Sequence, residues 1–160
     1  MSEPDLESLR LRFQDLEVDV ARTIQDTTRL TIASDRATEL FGRLRDEPET
    51  SMRRLADLTA VDHGGNGRFE VVYRLHSPGL NERLRVHVPV PEEEPIIDSV
   101  VSLWPGANWL EREVFDLFGI RFRGHPDLRR ILLPADFDGA PLRKDYPRQP
   151  NLDLPKAVEP

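Results

Sequence analysis

Seven prolines fall between Arg121 and the end of the chain: Pro126, Pro134, Pro141, Pro147, Pro150, Pro155 and Pro160. Each lacks a backbone N–H and fixes its own φ, so prolines at this density cannot support a sheet or a long helix. Regular structure is therefore expected within the first 120 residues. Up to Tyr146 the proline-rich part still carries many Leu, Ile and aromatic side chains, too many for a disordered linker. A segment that is irregular and partly apolar has to lie against something, either its own domain or a partner. From about Arg148 the tail is polar and is expected to be mobile when the chain is alone. The division that follows is an α+β domain over residues 1–120 and an extended docking segment over residues 121–160.

The first 120 residues read as alternating helical and extended stretches. Leu6, Leu9, Phe13 and Leu16 recur at helical spacing after Pro4, which predicts a helix over 5–16 with Arg10, Arg12, Gln14 and Asp15 turned outward. Two short strands are expected at Asp19–Gln25 and Arg29–Ala33, joined by a turn at Asp26-Thr27-Thr28. Ser34 is the expected N-cap of a helix carrying Ala37, Leu40, Phe41 and Leu44, which Pro48 stops. Arg54–Asp62 is the third strand. His63-Gly64-Gly65-Asn66-Gly67 turns the chain, since glycine tolerates positive φ. Phe69–His76 is a strand with Val71, Tyr73 and Leu75 on one face. After the Pro78-Gly79 turn, Leu84, Val86, Val88 and Val90 alternate with Arg83, Arg85 and His87, as in a strand with one wet face. Pro91-Glu92-Glu93-Glu94-Pro95 reads as a solvated acidic loop. Ile96, Ile97, Val100, Val101 and Trp104 follow helical spacing. A last helix opens with Asn108 as its candidate cap and runs to Phe118, with Gly119 as its left-handed stop. The order predicts a two-layer α+β domain with a mixed sheet of about five strands, helices covering one face, and an extended proline-rich C-terminal segment.

Composition narrows the function. The chain has 160 residues, enough for one domain with a real core. Its net charge of -7 argues against a nucleic-acid binder, which needs a basic face to neutralise phosphates. With no cysteine, neither a disulfide nor a cysteine-ligated cluster can form within the chain. His63, His76, His87 and His125 are far apart and lack metal-ligand spacing. No apolar run approaches the ~20 residues of a membrane span. The acidic N-terminus lacks the pattern of a secretory signal, so a cytoplasmic protein is expected, with any membrane association made through a partner.

Candidate chemistry concentrates between Trp104 and Tyr146. Arg112 and Asp116 are i, i+4 neighbours on a helix, and Glu113 and Asp116 are i, i+3 neighbours. Glu111 and Glu113 are two apart and point in different directions, so they do not form an acid/base pair on one face. The simplest reading of Glu111-Arg112-Glu113 is ordinary helix charge pairing. Trp109, Phe115 and Phe118 fit core or interface anchors better than a cofactor pocket. His125 sits in a rigid turn with no nucleophile beside it. Arg129-Arg130 and Arg143-Lys144 suit phosphate, anionic lipid or a partner's carboxylates. No Gly-rich phosphate loop and no G-x-S-x-G is present. These residues alone leave a domain with an arginine- and aromatic-rich extension suited to docking.

The motifs Trp104-Pro105-Gly106-Ala107-Asn108-Trp109-Leu110-Glu111-Arg112-Glu113, Asp116-Leu117-Phe118-Gly119-Ile120, Gly124-His125-Pro126-Asp127-Leu128-Arg129-Arg130-Ile131-Leu132 and Pro141-Leu142-Arg143-Lys144-Asp145-Tyr146-Pro147 closely resemble the 30-kDa subunit family of respiratory complex I, in bacteria the C-type subunit of NADH-quinone oxidoreductase. The blocks occur in the family's order. The resemblance continues more weakly through Leu55–Asp62, Phe69–Leu75 and Ser99-Val100. Phe137 stands where the family pattern leads one to expect tryptophan. The resemblance implies a non-catalytic peripheral-arm subunit of an NADH:quinone oxidoreductase that pumps protons, lying on the cytoplasmic side of the bacterial inner membrane and reaching the membrane only through the complex. It implies no cofactor in this chain, with FMN and iron-sulfur clusters held by partner subunits. It implies contact with the 49-kDa-like (D-type) subunit and neighbouring iron-sulfur subunits. Trp109, Glu111, Arg112, Glu113, Asp116, Phe118, Gly119, His125, Asp127, Arg129, Arg130, Arg143, Lys144, Asp145 and Tyr146 are the family-motif residues expected to position the arm or its partner. Two alternatives stay open: the equivalent subunit of a ferredoxin-dependent or membrane hydrogenase complex, and a free-standing enzyme using Glu113, Asp116 and His125.

Overall fold

The computed structural model describes residues 5–23, 27–64 and 68–147. The central layer is a five-stranded sheet built from β1 (Asp19–Arg22), β2 (Thr28–Thr31), β3 (Arg54–Asp62), β4 (Arg68–Ser77) and β5 (Glu82–Pro91). Its spatial order is β1-β2-β5-β4-β3, antiparallel throughout except for the parallel β2–β5 pair. The expected mixed sheet of five strands is thus present. The strand alternation fixes which face is dry. Leu58, Ala60, Phe69, Val71, Tyr73, Leu75, Leu84, Val86, Val88 and Val90 all point into one core.

Helices cover that dry face. α1 (Leu6–Arg12) contributes Leu9, and Phe13 and Leu16 follow it. α2 (Ala37–Asp46) buries Ala37, Leu40, Phe41 and Leu44 on one stripe. Phe41 stacks at a tilt on Tyr73, with centroids 4.5 Å apart, and meets the edge of Trp104 at 5.8 Å. α3 (Ala107–Phe118) packs its inward line on the sheet and ends at Gly119, whose φ of 75° supplies the left-handed stop expected of it. Glu47 closes α2 in an extended conformation, as the residue before Pro48 must. Arg43 ties this helix to the first one by donating to Glu47, Asp15 and the Arg12 carbonyl.

Five expectations are corrected. The first helix stops at Arg12 and gives way to a 3-10 turn at Gln14–Leu16. Ser34 does not cap α2, because the cap position is Arg36, and Asn108 lies inside α3, whose cap position is Gly106; neither helix has a side-chain cap. Ile96–Trp104 is not a helix. Ile96–Asp98 forms β6, which pairs in parallel with β7 (Arg121–Arg123), and turns carry the chain on to Trp104. The core accepts Ile97, Val100 and Trp104 from a strand and a turn as well as it would from a helix. β7 also shows that a sheet does extend past Gly119: three residues fit before the first proline of the segment, Pro126. The turns expected around Asp26 and Gly65–Gly67, and the tail from Arg148, lie wholly or partly outside the described residues.

Candidate functional site

α3 presents two buried lines of different character. Ala107, Glu111, Val114 and Phe118 are spaced four, three and four apart and face the sheet. Glu111 is therefore a core residue, fully buried. Its carboxylate accepts from the Val100 N–H and from the Ser99 hydroxyl, both at 2.7 Å, and so fastens the turn after β6 to α3. Burial pushes the Glu111 carboxyl up to about 7, against the opposing pull of these two donors. Helix charge pairing is thus not what Glu111 does.

The second line, Arg112 and Asp116, is covered by residues 124–147, which cross α3 as a strap. The i, i+4 spacing does not pair these two side chains with each other. Arg112 donates to the carbonyls of Arg129 and Arg130. Asp116 accepts three N–H bonds at one oxygen, from Ile131, Leu132 and Leu133, at 3.0, 2.8 and 3.0 Å. Arg130 Nη1 donates to its other oxygen at 2.7 Å, while Nη2 donates to the carbonyls of Phe137 and Gly139. Burial works to raise the Asp116 carboxyl, but the N–H groups of Leu133 and Leu132, the Arg130 guanidinium and the Ile131 N–H hold it below the ordinary carboxylate range. A proline-rich stretch with no ladder thus satisfies its backbone through one helix carboxylate and two arginines.

The rest of the strap is pinned at spaced points. His125 Nε2 lies 3.1 Å from the Asn108 carbonyl, and Nδ1 accepts the Asp127 N–H, which places the ring proton on Nε2. Leu142 N–H donates to the Leu117 carbonyl. Arg143 pairs with Glu92 at 3.0 Å and Asp145 at 2.9 Å, and its guanidinium lies over Phe69. Lys144 N–H donates to Asp62. Tyr146 stacks on Phe137 and donates to the Asp138 carbonyl. It leaves so little room at Gly139 that a Cβ there would lie 2.6 Å from the ring. The strap therefore joins α3 to the end of β3 and to the acidic loop after β5.

What the motif leaves outward is a separate set. Trp109 is 62% exposed, with the Arg112 guanidinium 5.1 Å from its ring centre. Leu132 and Leu142 are exposed at 58% and 51%, and Glu113, Asp127, Arg129, Lys144 and Asp145 also face outward. Phe118 and Gly119 are structural, as core residue and helix stop. Sequence reasoning missed Leu132 and Leu142 as outward apolar groups, and Glu92 and Asp62 as strap anchors. The signal for the leucines was present: each lies in a proline-rich stretch with no strand or helix to bury it.

The three residues of the free-standing enzyme alternative are otherwise placed. Asp116 is saturated, both nitrogens of His125 are engaged, and Glu113 is exposed. A cleft of about 510 Å³ lies elsewhere, lined by Glu17, Thr31–Ser34 and Pro89–Pro91, and contains none of the three. Among the described residues no group of His, Asp and Glu is placed to hold a metal ion, and no helix is long and apolar enough to cross a membrane.

A family model described as respiratory-chain NADH dehydrogenase, 30 kDa subunit, matches residues 30–151. The C-type subunit of NADH-quinone oxidoreductase from Rhodopseudomonas palustris strain TIE-1 is 48% identical over 119 residues, covering 74% of this chain and 58% of the relative. The chain thus spans less than two thirds of the length of that relative. The corresponding C-type subunit from Moorella thermoacetica is 45% identical over 142 residues, covering 88% of this chain and 92% of the relative. Among solved structures, a trypsin-resistant fragment of Nqo5 superposes with a TM-score of 0.68 at 34% identity, covering 77% of this chain and 98% of the fragment. A chain of the membrane-bound sulfane sulfur reductase, an archaeal respiratory membrane complex, reaches 0.74 at 21% identity, covering 88% and 84%. That second likeness is one of fold alone. The motif blocks that hold the strap on α3 lie inside the matched region, and the chain belongs to the 30 kDa subunit family of respiratory-chain NADH dehydrogenases.

Proposed function

We propose that this chain is a cofactor-free peripheral-arm subunit of a membrane-bound NADH:quinone oxidoreductase. In this reading it scaffolds the subunits that carry electrons from NADH to quinone with proton translocation, and makes no catalytic contribution of its own. FMN and iron-sulfur clusters belong to its partners. The neighbours are the 49-kDa-like (D-type) subunit and adjacent iron-sulfur subunits, and the chain lies on the cytoplasmic side of the inner membrane, attached through them. The observation that carries this reading is the family match across residues 30–151, which takes in α2, α3, strands β3 to β7 and the strap. The geometry supports it by dividing the motif. Glu111, Arg112, Asp116 and Arg130 are spent inside the chain, while Trp109, Glu113, Arg129, Leu132 and Leu142 form the outward face that meets a neighbour. Trp and Arg beside exposed leucines are the composition of an interface centre. The fold is shared with a subunit of a sulfane sulfur reductase, so fold alone does not choose the parent complex.

Native mass spectrometry of the mildly tagged chain, isolated from detergent-solubilised membranes of its source, tests this. Recovery within a large assembly containing flavin and iron-sulfur subunits is the expected outcome, and the co-purifying redox subunits identify the complex. Recovery as a lone 18.4 kDa protein absent from the membrane fraction overturns it.

A further inference from the structure

The cleft beside the edge of β5 has mostly apolar walls, and its volume of about 510 Å³ is that of a small-molecule site. Its hydrogen-bonding capacity is one-sided. Pairing of β2 with β5 stops at Thr31↔His87, and the Ile32 N–H closes the ladder on the His87 carbonyl at 3.1 Å. His87 thus faces β2, and by alternation so do Pro89 and Pro91. Neither proline has an N–H, so each turns only a carbonyl to this side. One further ladder step would set the Ile32 carbonyl against Pro89, which has no donor to give it. No described residue donates to any of these three carbonyls. Glu17 is the only charged side chain of the lining, and no described residue pairs with its carboxylate. It closes the 3-10 turn at φ 55° and ψ 39°, in the left-handed region. Glycine or asparagine is the usual occupant of such a helix end, because a Cβ is strained there. The backbone disfavours a glutamate at this point, and what the residue supplies is the one charge of the cleft. The nearby Arg36 does not neutralise it, being held by the Asp15 carbonyl and Glu39.

We infer that this cleft binds a small organic cation, an amidine, guanidine or primary amine carried on an apolar body. Ile32, Val90 and the two proline rings take the apolar body, while Glu17 and the open carbonyls accept the N–H groups of its head. Hydrogen bonds from a cation to a carboxylate are about twice as strong as neutral ones. An anion would meet one carboxylate and three carbonyls turned towards it. An extended segment of a partner chain is disfavoured, because its own carbonyls would face two prolines without donors. A single side chain from a partner would leave much of the volume unfilled. No residue of α3 or the strap lines the cleft, so this site is independent of the family reading.

Titration of the full chain with benzamidine, followed by proton–nitrogen NMR correlation spectra, tests it. The Ile32, Ala33, Ser34 and Val90 amides are expected to shift together, with a Kd of about 1 mM or tighter. Benzamide, which keeps the shape and loses the charge, should bind about tenfold more weakly. Glu17→Gln should lower benzamidine affinity by about the same factor. Glu7→Gln, an equal change of net charge on the exposed side of α1, should leave it unchanged. Glu17→Gly should lose the probe and yet raise the melting temperature of the free chain by about 2 °C or more, since glycine relieves the left-handed strain. Equal affinity for benzamidine and benzamide, no shift at these amides, or a Glu17→Gly chain that melts lower than wild type overturns the inference. So does tighter binding at the same amides by a capped arginine-bearing heptapeptide, which would assign the cleft to a partner chain.

Discussion

Glu111 is the residue at which the fold and its chemistry are most tightly joined. It stands between Ala107 and Val114 on the inward line of α3, and its carboxylate fastens the turn after β6. Its surroundings disfavour the charge. Burial first, and then the charges of Glu111 and Asp98, hold the Tyr73 hydroxyl well above the ordinary phenol range, and that hydroxyl has no hydrogen-bond partner among the described residues. With the Glu111 carboxyl raised from 4.5 to about 7, the folded state binds more protons than the unfolded state between those values. Stability from this group is therefore complete below the unfolded value and is lost as pH rises through about 7, amounting to about 3 kcal/mol at most. Glu111→Gln keeps an acceptor for the Val100 N–H and offers an NH₂ to the Ser99 oxygen without the titration. The difference in unfolding free energy between wild type and Glu111→Gln should therefore change from pH 5 to pH 8, the glutamine variant gaining as pH rises. Parallel pH profiles from chemical denaturation would show that the carboxyl is not held as the geometry requires.

At the scale of elements, legibility followed length and alternation. β3 was readable to its ends from its length, although its register shifts between Leu55 and Asp57, and β5 from its four alternating Leu and Val, whose period of two over ten residues leaves no competing assignment. β6 and β7 were not, because three residues carry no period, and Ile96, Ile97, Val100 and Val101 happen to fit a helix. The inward position of Glu111 was legible in its spacing from Ala107 and Val114, but a carboxylate on that line reads as a surface charge until a donor is seen opposite it. The strap's anchors were not legible at all, since Asp62 and Glu92 meet it from far along the chain. One device within β5 explains itself in the structure. The Ile32 N–H donates to the His87 carbonyl, so His87 faces β2, and by alternation Pro89 and Pro91 face the same side. β2 ends at Thr31, which leaves that lane open just where the two prolines remove its N–H donors. Prolines on an open lane discourage another strand from adding there. Pro89→Val with Pro91→Thr should restore two donors and give concentration-dependent dimers or aggregates in light scattering. A variant that stays monomeric at the same concentrations would show that the cleft beside Ala33 and Ser34 already excludes a strand.

The whole molecule has an inner and an outer use for the same motif, and the two can be separated by experiment. Asp116 satisfies three strap N–H groups and Arg130, so Asp116→Ala leaves an arginine and three donors without their acceptor. Breaking such a buried pair costs about 3–5 kcal/mol, and both the stability of the purified chain and its recovery in the assembly should fall together. Trp109 bears differently on the fold. At 62% exposure it contributes little to the core, although its ring lies beside the Arg112 guanidinium. A tryptophan at the centre of an interface is commonly worth about 2 kcal/mol or more on truncation. Trp109→Ala should therefore leave the melting of the isolated chain nearly unchanged and reduce the fraction found in the membrane-derived assembly by about tenfold or more, at limiting expression. Leu132→Ser should act in the same direction on the same face. If Trp109→Ala instead assembles at the wild-type level while Asp116→Ala does not, the strap serves the domain alone and the partner meets this chain elsewhere.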